Sequence, residues 1–386
     1  MGIRKGLCLA AALWGIFLLA GCTSDADVFN EQGLALYRQG SYAEAVNSFD
    51  QAIRTDNQNP EYHVNKGMAC LEMGDYENAH SCFDLALRLN GKYQAAYRGN
   101  GIAYMEAGSY DEAMNSFNTA LACESGRASE AEYDILLYRG ETETRMGNYE
   151  GAINTYTVLL KAKGEQADFY YLRGVAYVKS GAVEEGIADM DKAISLNPTD
   201  YNLYLNCYYC LADAGQAEQG INYLKNALTI GESTTASHKS RGAVHFLLGD
   251  YNAALSEFGY EQETADVETL IYIGLCHQSL GDYTSSYEAF SRALELGGEN
   301  LEVYYQMGMC MFSTGDYAKA LEYLAKGLEL TGQGNDAHKS EMMYTQALCH
   351  ERLLQFSEAL KAFEAYAALY GSNAELDKEM AFLRTR

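Results

Sequence analysis

Residues 61–90 read EYHVNKGMACLEMGDYENAHSCFDLALRLN. Tyr62–Met73 predicts one helix, Gly74-Asp75 breaks and restarts the chain, and Tyr76–Leu89 predicts a second helix. Glycine suits the left-handed residue that ends a helix, and Asp, Ser or Asn caps the one that follows. On the second helix Ala79, Phe83 and Ala86 are spaced four and then three apart, which keeps them on one face. Small side chains let the two helices approach, and the aromatic ring fills the gap between them.

The two glycines of this stretch, Gly67 and Gly74, return along most of the chain with a usual period of 34 residues. The first member recurs at Gly33, Gly101, Gly140, Gly174, Gly242, Gly274 and Gly308. The second recurs at Gly40, Gly108, Gly147, Gly181, Gly215, Gly249, Gly281 and Gly315. A Gly-[Ser/Asp/Asn]-Tyr turn occurs seven times, from Gly40-Ser41-Tyr42 to Gly315-Asp316-Tyr317. Ser41 with Glu44 and Ser109 with Glu112 are spaced for capping boxes. A near-fixed period of this length predicts a stack of helical hairpins, each contacting its neighbours, and not a globular enzyme. Only two prolines occur, Pro60 and Pro198, and no low-complexity linker interrupts the pattern.

The Ala-x-x-x-Phe element on the second helices (Ala45/Phe49, Ala79/Phe83, Ala113/Phe117, Ala254/Phe258) resembles the tetratricopeptide repeat. So does Gly-x-x-Tyr on the first helices, at Gly101/Tyr104 and Gly174/Tyr177. The resemblance implies an all-α α-solenoid, a right-handed superhelix of helix-turn-helix hairpins, with about ten units over residues 26–373. Two units depart from the pattern, because Tyr208 and Ala347 stand where the first glycine belongs. Extra residues around 124–131 and 331–341 are expected to bulge or bend the stack. Residues 374–386 are expected to form a terminal cap, with Leu376, Met380 and Leu383 on its inner stripe and Asp377, Lys378, Glu379 and Arg384 outside.

The chain begins with Arg4 and Lys5, an apolar run from Leu7 to Ala20, and Leu19-Ala20-Gly21-Cys22. This order resembles a bacterial lipoprotein leader. It implies removal of residues 1–21, lipidation of Cys22, a short tether over 22–25 and a position on the extracytoplasmic face of the cell membrane. No later segment offers ~20 consecutive apolar residues, so lipid is the only membrane attachment expected. Removing the leader changes the formal charge from −25 to −27. That balance disfavours nucleic acid and favours neutral or cationic partners, besides keeping a long surface soluble.

No catalytic or cofactor motif is present, and none is expected. Cys210, Cys276, Cys310 and Cys349 take a repeat place filled elsewhere by alanine, which reads as small apolar packing and not as redox or metal chemistry. His245, His277 and His350 share another repeat place and are read as packing between helices.

In the resembling family the first helices line the concave face. Counted from the first glycine, places −6, −3, +1 and +4 share one side of that helix, expected to be exposed. They carry Tyr37, Tyr171, Tyr209, Phe246, Tyr305, Phe312 and Tyr344, with acids at −6 that include Asp27, Asp134, Asp168, Glu268, Glu302 and Glu341. Aromatic anchors beside an acidic rim suit a protein or peptide segment with apolar and basic residues. Several of these aromatics could equally pack against the neighbouring unit. The expected function is protein binding or scaffolding at the bacterial envelope. The alternatives are an assembly factor for a surface machine, as for the repeat lipoproteins that help pili or outer-membrane proteins assemble, and, more remotely, an enzyme or metal protein.

Overall fold

The computed structural model describes residues 24–123, 129–231, 235–261, 265–332 and 338–386. The leader, Cys22 and parts of the two expected insertions, 124–128 and 333–337, lie outside them. The described residues form twenty-one α-helices, α1 (Asp25–Arg38) to α21 (Ala374–Leu383), arranged as hairpins. The chain is therefore an all-α solenoid of repeated helical hairpins. It divides into two compact units, one up to Gly220 and one from Ile221 onward.

In the first unit the hairpins are α1/α2 (Asp25–Arg38, Tyr42–Thr55), α3/α4 (Pro60–Glu72, Tyr76–Leu89), α5/α6 (Gln94–Glu106, Tyr110–Ala122), α7/α8 (Glu130–Arg145, Tyr149–Lys163) and α9/α10 (Ala167–Ser180, Val183–Leu196). Next comes α11 (Tyr201–Asp213), and the division falls inside α12 (Ala217–Ala227). The second unit contains α13/α14 (Thr235–Leu247, Tyr251–Phe258), α15/α16 (Val267–Ser279, Tyr283–Gly297), α17/α18 (Leu301–Thr314, Tyr317–Glu329) and α19/α20 (Lys339–Arg352, Phe356–Tyr370), followed by α21.

The close approach inside a hairpin requires the first glycine. A Cβ on Gly33, Gly67, Gly101, Gly242 or Gly274 would lie 2.4–2.6 Å from the ring of Phe49, Phe83, Phe117, Phe258 or Phe290 respectively. Those rings are at most 1% exposed, and burying each contributes roughly 1.5–3 kcal/mol. Where the sixth hairpin has Tyr208, the facing helix supplies Gly220, whose missing Cβ leaves 3.1 Å to the Tyr208 ring. At this contact the bulk has moved from one residue of the pair to the other.

Nine turn glycines adopt φ between 75° and 92° with nothing within 4 Å of a notional Cβ, so conformation and not space selects glycine there. The tenth turn has Leu354 at φ 60°. Asp75, Asn148, Asp250, Asp282 and Asp316 accept a hydrogen bond from the backbone N–H of the third helical residue. Ser41 and Ser109 make no such bond, contrary to the expected capping boxes. Their side chains are one atom shorter and, with ψ near 65°, do not reach. Capping boxes form instead at Ser24–Asp27 and Ser129–Glu132, where the capping residue is extended.

The second unit ends under α21, whose Leu376, Met380 and Leu383 are buried against Phe363. Glu379 departs from its expected outward place. It is half-buried, and its Oε1 is fully covered.

Candidate binding groove

Helical spacing puts −6, −3, +1 and +4 on one stripe of each first helix, but the stripe is not open along its length. In the first unit Val64, Ile102, Met105 and Val178 occupy it and are buried. Successive first helices close on these positions. The expectation of a uniformly exposed face is corrected accordingly.

The candidate aromatics fall into three settings. Tyr37, Phe246 and Phe312, all at +4, pack on the turn tyrosine of their own hairpin, with centroids 5.4 Å (Tyr42), 5.8 Å (Tyr251) and 5.6 Å (Tyr317) apart. Phe246 also meets Tyr272 of the next hairpin at 5.2 Å. Tyr305 stacks at 4.1 Å on His338. Only Tyr209 and Tyr344 exceed a third exposure, each at 39%. Tyr209 lies edge-on to Tyr208, and Tyr344 rests on Phe363 and Tyr366. Tyr171 is half-buried, and burial pushes its phenol above the ordinary range.

The acids at −6 are mostly engaged within the chain. In the first unit the Tyr62 hydroxyl donates to Asp27 at 2.6 Å, and Arg98 pairs with Asp134 while its guanidinium lies 5.2 Å over the Tyr138 ring. Asn65 donates to Asn30 at 2.9 Å, and the Tyr37 hydroxyl to Glu72 at 3.0 Å. In the second unit Lys239 Nζ is 2.7 Å from both Asp266 and Glu268, and Glu302 is 2.8 Å from His338 Nε2. Each contact ties one first helix to the next or to its N-cap, 27–36 residues on. Arg98 and Lys239, the cations at −3, are thus already paired. Asp168 is different: it stays open to solvent over more than a third of its surface, yet partial covering of the carboxyl, and then the charge of Asp200, raise its pKa. An approaching cation would relieve that repulsion.

These inter-helix ties were not legible in the sequence. They run between different repeat places, −6 to −5 at Asp27–Tyr62, −3 to −2 at Asn30–Asn65, −3 to −6 at Arg98–Asp134 and Lys239–Glu268, and +4 to +5 at Tyr37–Glu72, so aligning like with like conceals them. His245, His277 and His350 also differ from expectation. His245 and His277 lie 3.9 Å and 3.4 Å from Asp250 and Asp282, and His350 is 2.7 Å from Gln355. All three sit over the turn of their own hairpin, where ring and capping residue meet.

Cys70, Cys82, Cys207, Cys276, Cys310 and Cys349 are buried free thiols, and Cys210 is half-buried. Burial pushes Cys210 up to about 11 and Cys276 and Cys349 up to about 12. Among the described residues no group of three His, Cys, Asp or Glu side chains could hold a metal ion, and no helix is long and apolar enough to cross a membrane. One open hollow on α1 is lined by Asp27, Val28, Glu31, Gln32 and Ala35.

Comparison with known proteins supports the repeat. Models described as "TPR repeat" and "Tetratricopeptide repeat" match residues 33–74, 60–93 and 139–201. A model described as "Anaphase-promoting complex, cyclosome, subunit 3" matches 255–327. Human tetratricopeptide repeat protein 13 is 24% identical over 165 residues, 41% of this chain and 19% of that protein. The chain spans between about a fifth and a third of the length of the curated relatives it matches. A tetratricopeptide repeat protein from Parabacteroides merdae aligns over 65% of this chain and 98% of its own, at 19% identity and a TM-score of 0.42. The Pseudomonas aeruginosa pilF structure aligns over 56% and 96%, at 16% identity and a TM-score of 0.42. The matches to tetratricopeptide-repeat models thus cover residues 33–93 and 139–201 of the chain.

Proposed function

We propose that this tetratricopeptide-repeat chain is a lipid-anchored, extracytoplasmic protein that binds or scaffolds other proteins through the first-helix groove. The carrying observation is the set of half-buried and exposed aromatics, Phe246, Tyr305, Phe312 and Tyr344, on three of the four first helices of the second unit, α13, α17 and α19. Rings held on one side by a neighbour and open on the other are preorganised anchors, which lose little freedom on binding. Affinity spread over several hairpins suits an extended or helical segment. The anchor rests on the basic start, the apolar run and Leu19-Ala20-Gly21-Cys22.

Two experiments test the halves separately. Metabolic labelling with a fatty-acid analogue should mark the chain and fail on Cys22→Ala. Photocrosslinking from the groove in cells should capture protein partners, and capture should fall in Tyr305→Ala/Phe312→Ala. Unchanged capture would move the binding site off the groove.

A further inference from the structure

The second hairpin carries one cysteine on each helix, Cys70 on α3 and Cys82 on α4, twelve residues apart. The register of the hairpin brings the two side chains together. Gly67, one turn before Cys70, faces the ring of Phe83, the chain neighbour of Cys82, with 2.6 Å between its notional Cβ and Cε1. In the fourth hairpin the same two repeat places hold Glu143 and Thr155, also twelve apart, and there the Thr155 hydroxyl donates to Glu143 at 2.7 Å in the buried seam between α7 and α8. In the second hairpin the two thiols hydrogen-bond to each other. Both are free and only 5% exposed. Cys310, by contrast, has Ser286 Oγ at 3.2 Å, a neighbour that cannot form a sulfur–sulfur bond.

The surroundings favour one thiolate of the pair. The hydrogen bond from Cys82 holds the Cys70 thiol below its ordinary range against its burial, and the Lys66 ammonium adds to the effect. The same hydrogen bond, and then burial, hold Cys82 above that range. Lys66 stands four residues before Cys70 on α3, and its Nζ is 2.7 Å from Asp50. A thiolate near an ammonium, with a second thiol in contact, is the arrangement in which disulfide exchange runs on to an intramolecular bond.

We propose that Cys70 and Cys82 form a redox-convertible staple across the second hairpin, closed by exchange with an external disulfide. The Cys70 thiolate attacks one sulfur of the oxidant R–S–S–R and releases the first thiolate R–S⁻, leaving a mixed disulfide. The Cys82 sulfur then attacks the Cys70 sulfur and releases the second. The two protein thiol protons end on the two released R–SH molecules, so the chain loses two protons and two electrons and the oxidant gains them. Closing so short a loop restricts the opened hairpin more than the closed one. The effect reaches past one hairpin, since the Phe83 ring also packs on Gly99 of the next.

Residues 67–88 lie between Lys66 and Arg88, so trypsin releases both cysteines in one peptide. The native full chain is incubated with oxidised glutathione, alkylated and digested. Peptide 67–88 should lose two hydrogens and resist alkylation, and reduction should restore both sites. Hydrogen exchange in α3 and α4 should slow about a hundredfold in the oxidised chain, with α17–α20 unchanged. In Cys82→Ser the first step should proceed and stop, leaving glutathione on Cys70. A peptide 67–88 that stays alkylatable in the native chain, or is oxidised only in urea, would overturn the proposal, because the folded hairpin would then hold the sulfurs apart. So would a glutathione adduct that persists on Cys70 with Cys82 present. A bond that forms but leaves or speeds exchange in α3 and α4 would also overturn it, by showing strain in place of a staple.

Discussion

The ring of Phe83 occupies the space that a side chain on Gly67 would need: Cε1 lies 2.6 Å from the notional Cβ. The same ring is 2.4 Å from the notional Cβ of Gly99 on the next hairpin, so one aromatic seals two joints. Gly67→Ala should therefore destabilise the second and third hairpins by about 2–3 kcal/mol, because the ring is hemmed in by both helices and cannot yield. Hydrogen exchange in α3–α5 should accelerate, while α17–α20 stays protected. Protection unchanged in α3–α5 would show that the ring can relocate.

Leu354 invites the opposite change. It holds φ 60° where nine sister turns have glycine, and it is 72% exposed, so little packing offsets the strain. Leu354→Gly should raise stability by about 0.5–1 kcal/mol, the left-handed penalty less the greater freedom of glycine in the unfolded chain. Urea unfolding followed at the C-terminal hairpin measures it. A loss would mean that Leu354 has a contact partner in solution.

The turn and core pattern was legible because glycine, aspartate and phenylalanine each answer a local requirement that repeats with the hairpin. The sixth hairpin was harder to read. Tyr208 breaks the expected glycine, and its compensation at Gly220 lies on the other helix, twelve residues on. The groove was the least legible part. A stripe drawn on one helix cannot tell that Met105 is shut under the next helix while Tyr344 stays open.

Thiol chemistry offers a third test. With Cys276 and Cys349 pushed up to about 12 by burial, the thiolate is scarce near neutral pH. Ellman's reagent should label these two at pH 8 only after unfolding, and the native mass should contain no disulfide involving them. Rapid native labelling of either residue would show that the hairpin opens readily.

Acid should loosen one particular joint. Burial raises the Asp266 carboxyl, but the Lys239 ammonium and the Thr269 backbone N–H and hydroxyl outweigh it and hold it near about 2. A depressed value in the folded state means stabilisation that is complete above the ordinary carboxylate value of about 4 and lost as pH falls toward 2. Exchange protection in α13–α15 should decline across that window. In Lys239→Met the decline should shrink, and an identical decline would remove the ion pair as its cause.

The side-chain ties between successive first helices have a mechanical meaning. They do not carry the joints alone, because buried side chains cross them too, as the Phe83 ring does to Gly99 of the next hairpin. The polar ties beside that core are individually weak, mostly under about 1 kcal/mol. A guest can therefore exchange a few of them, redrawing the floor of its berth, while the core between hairpins keeps the helices stacked.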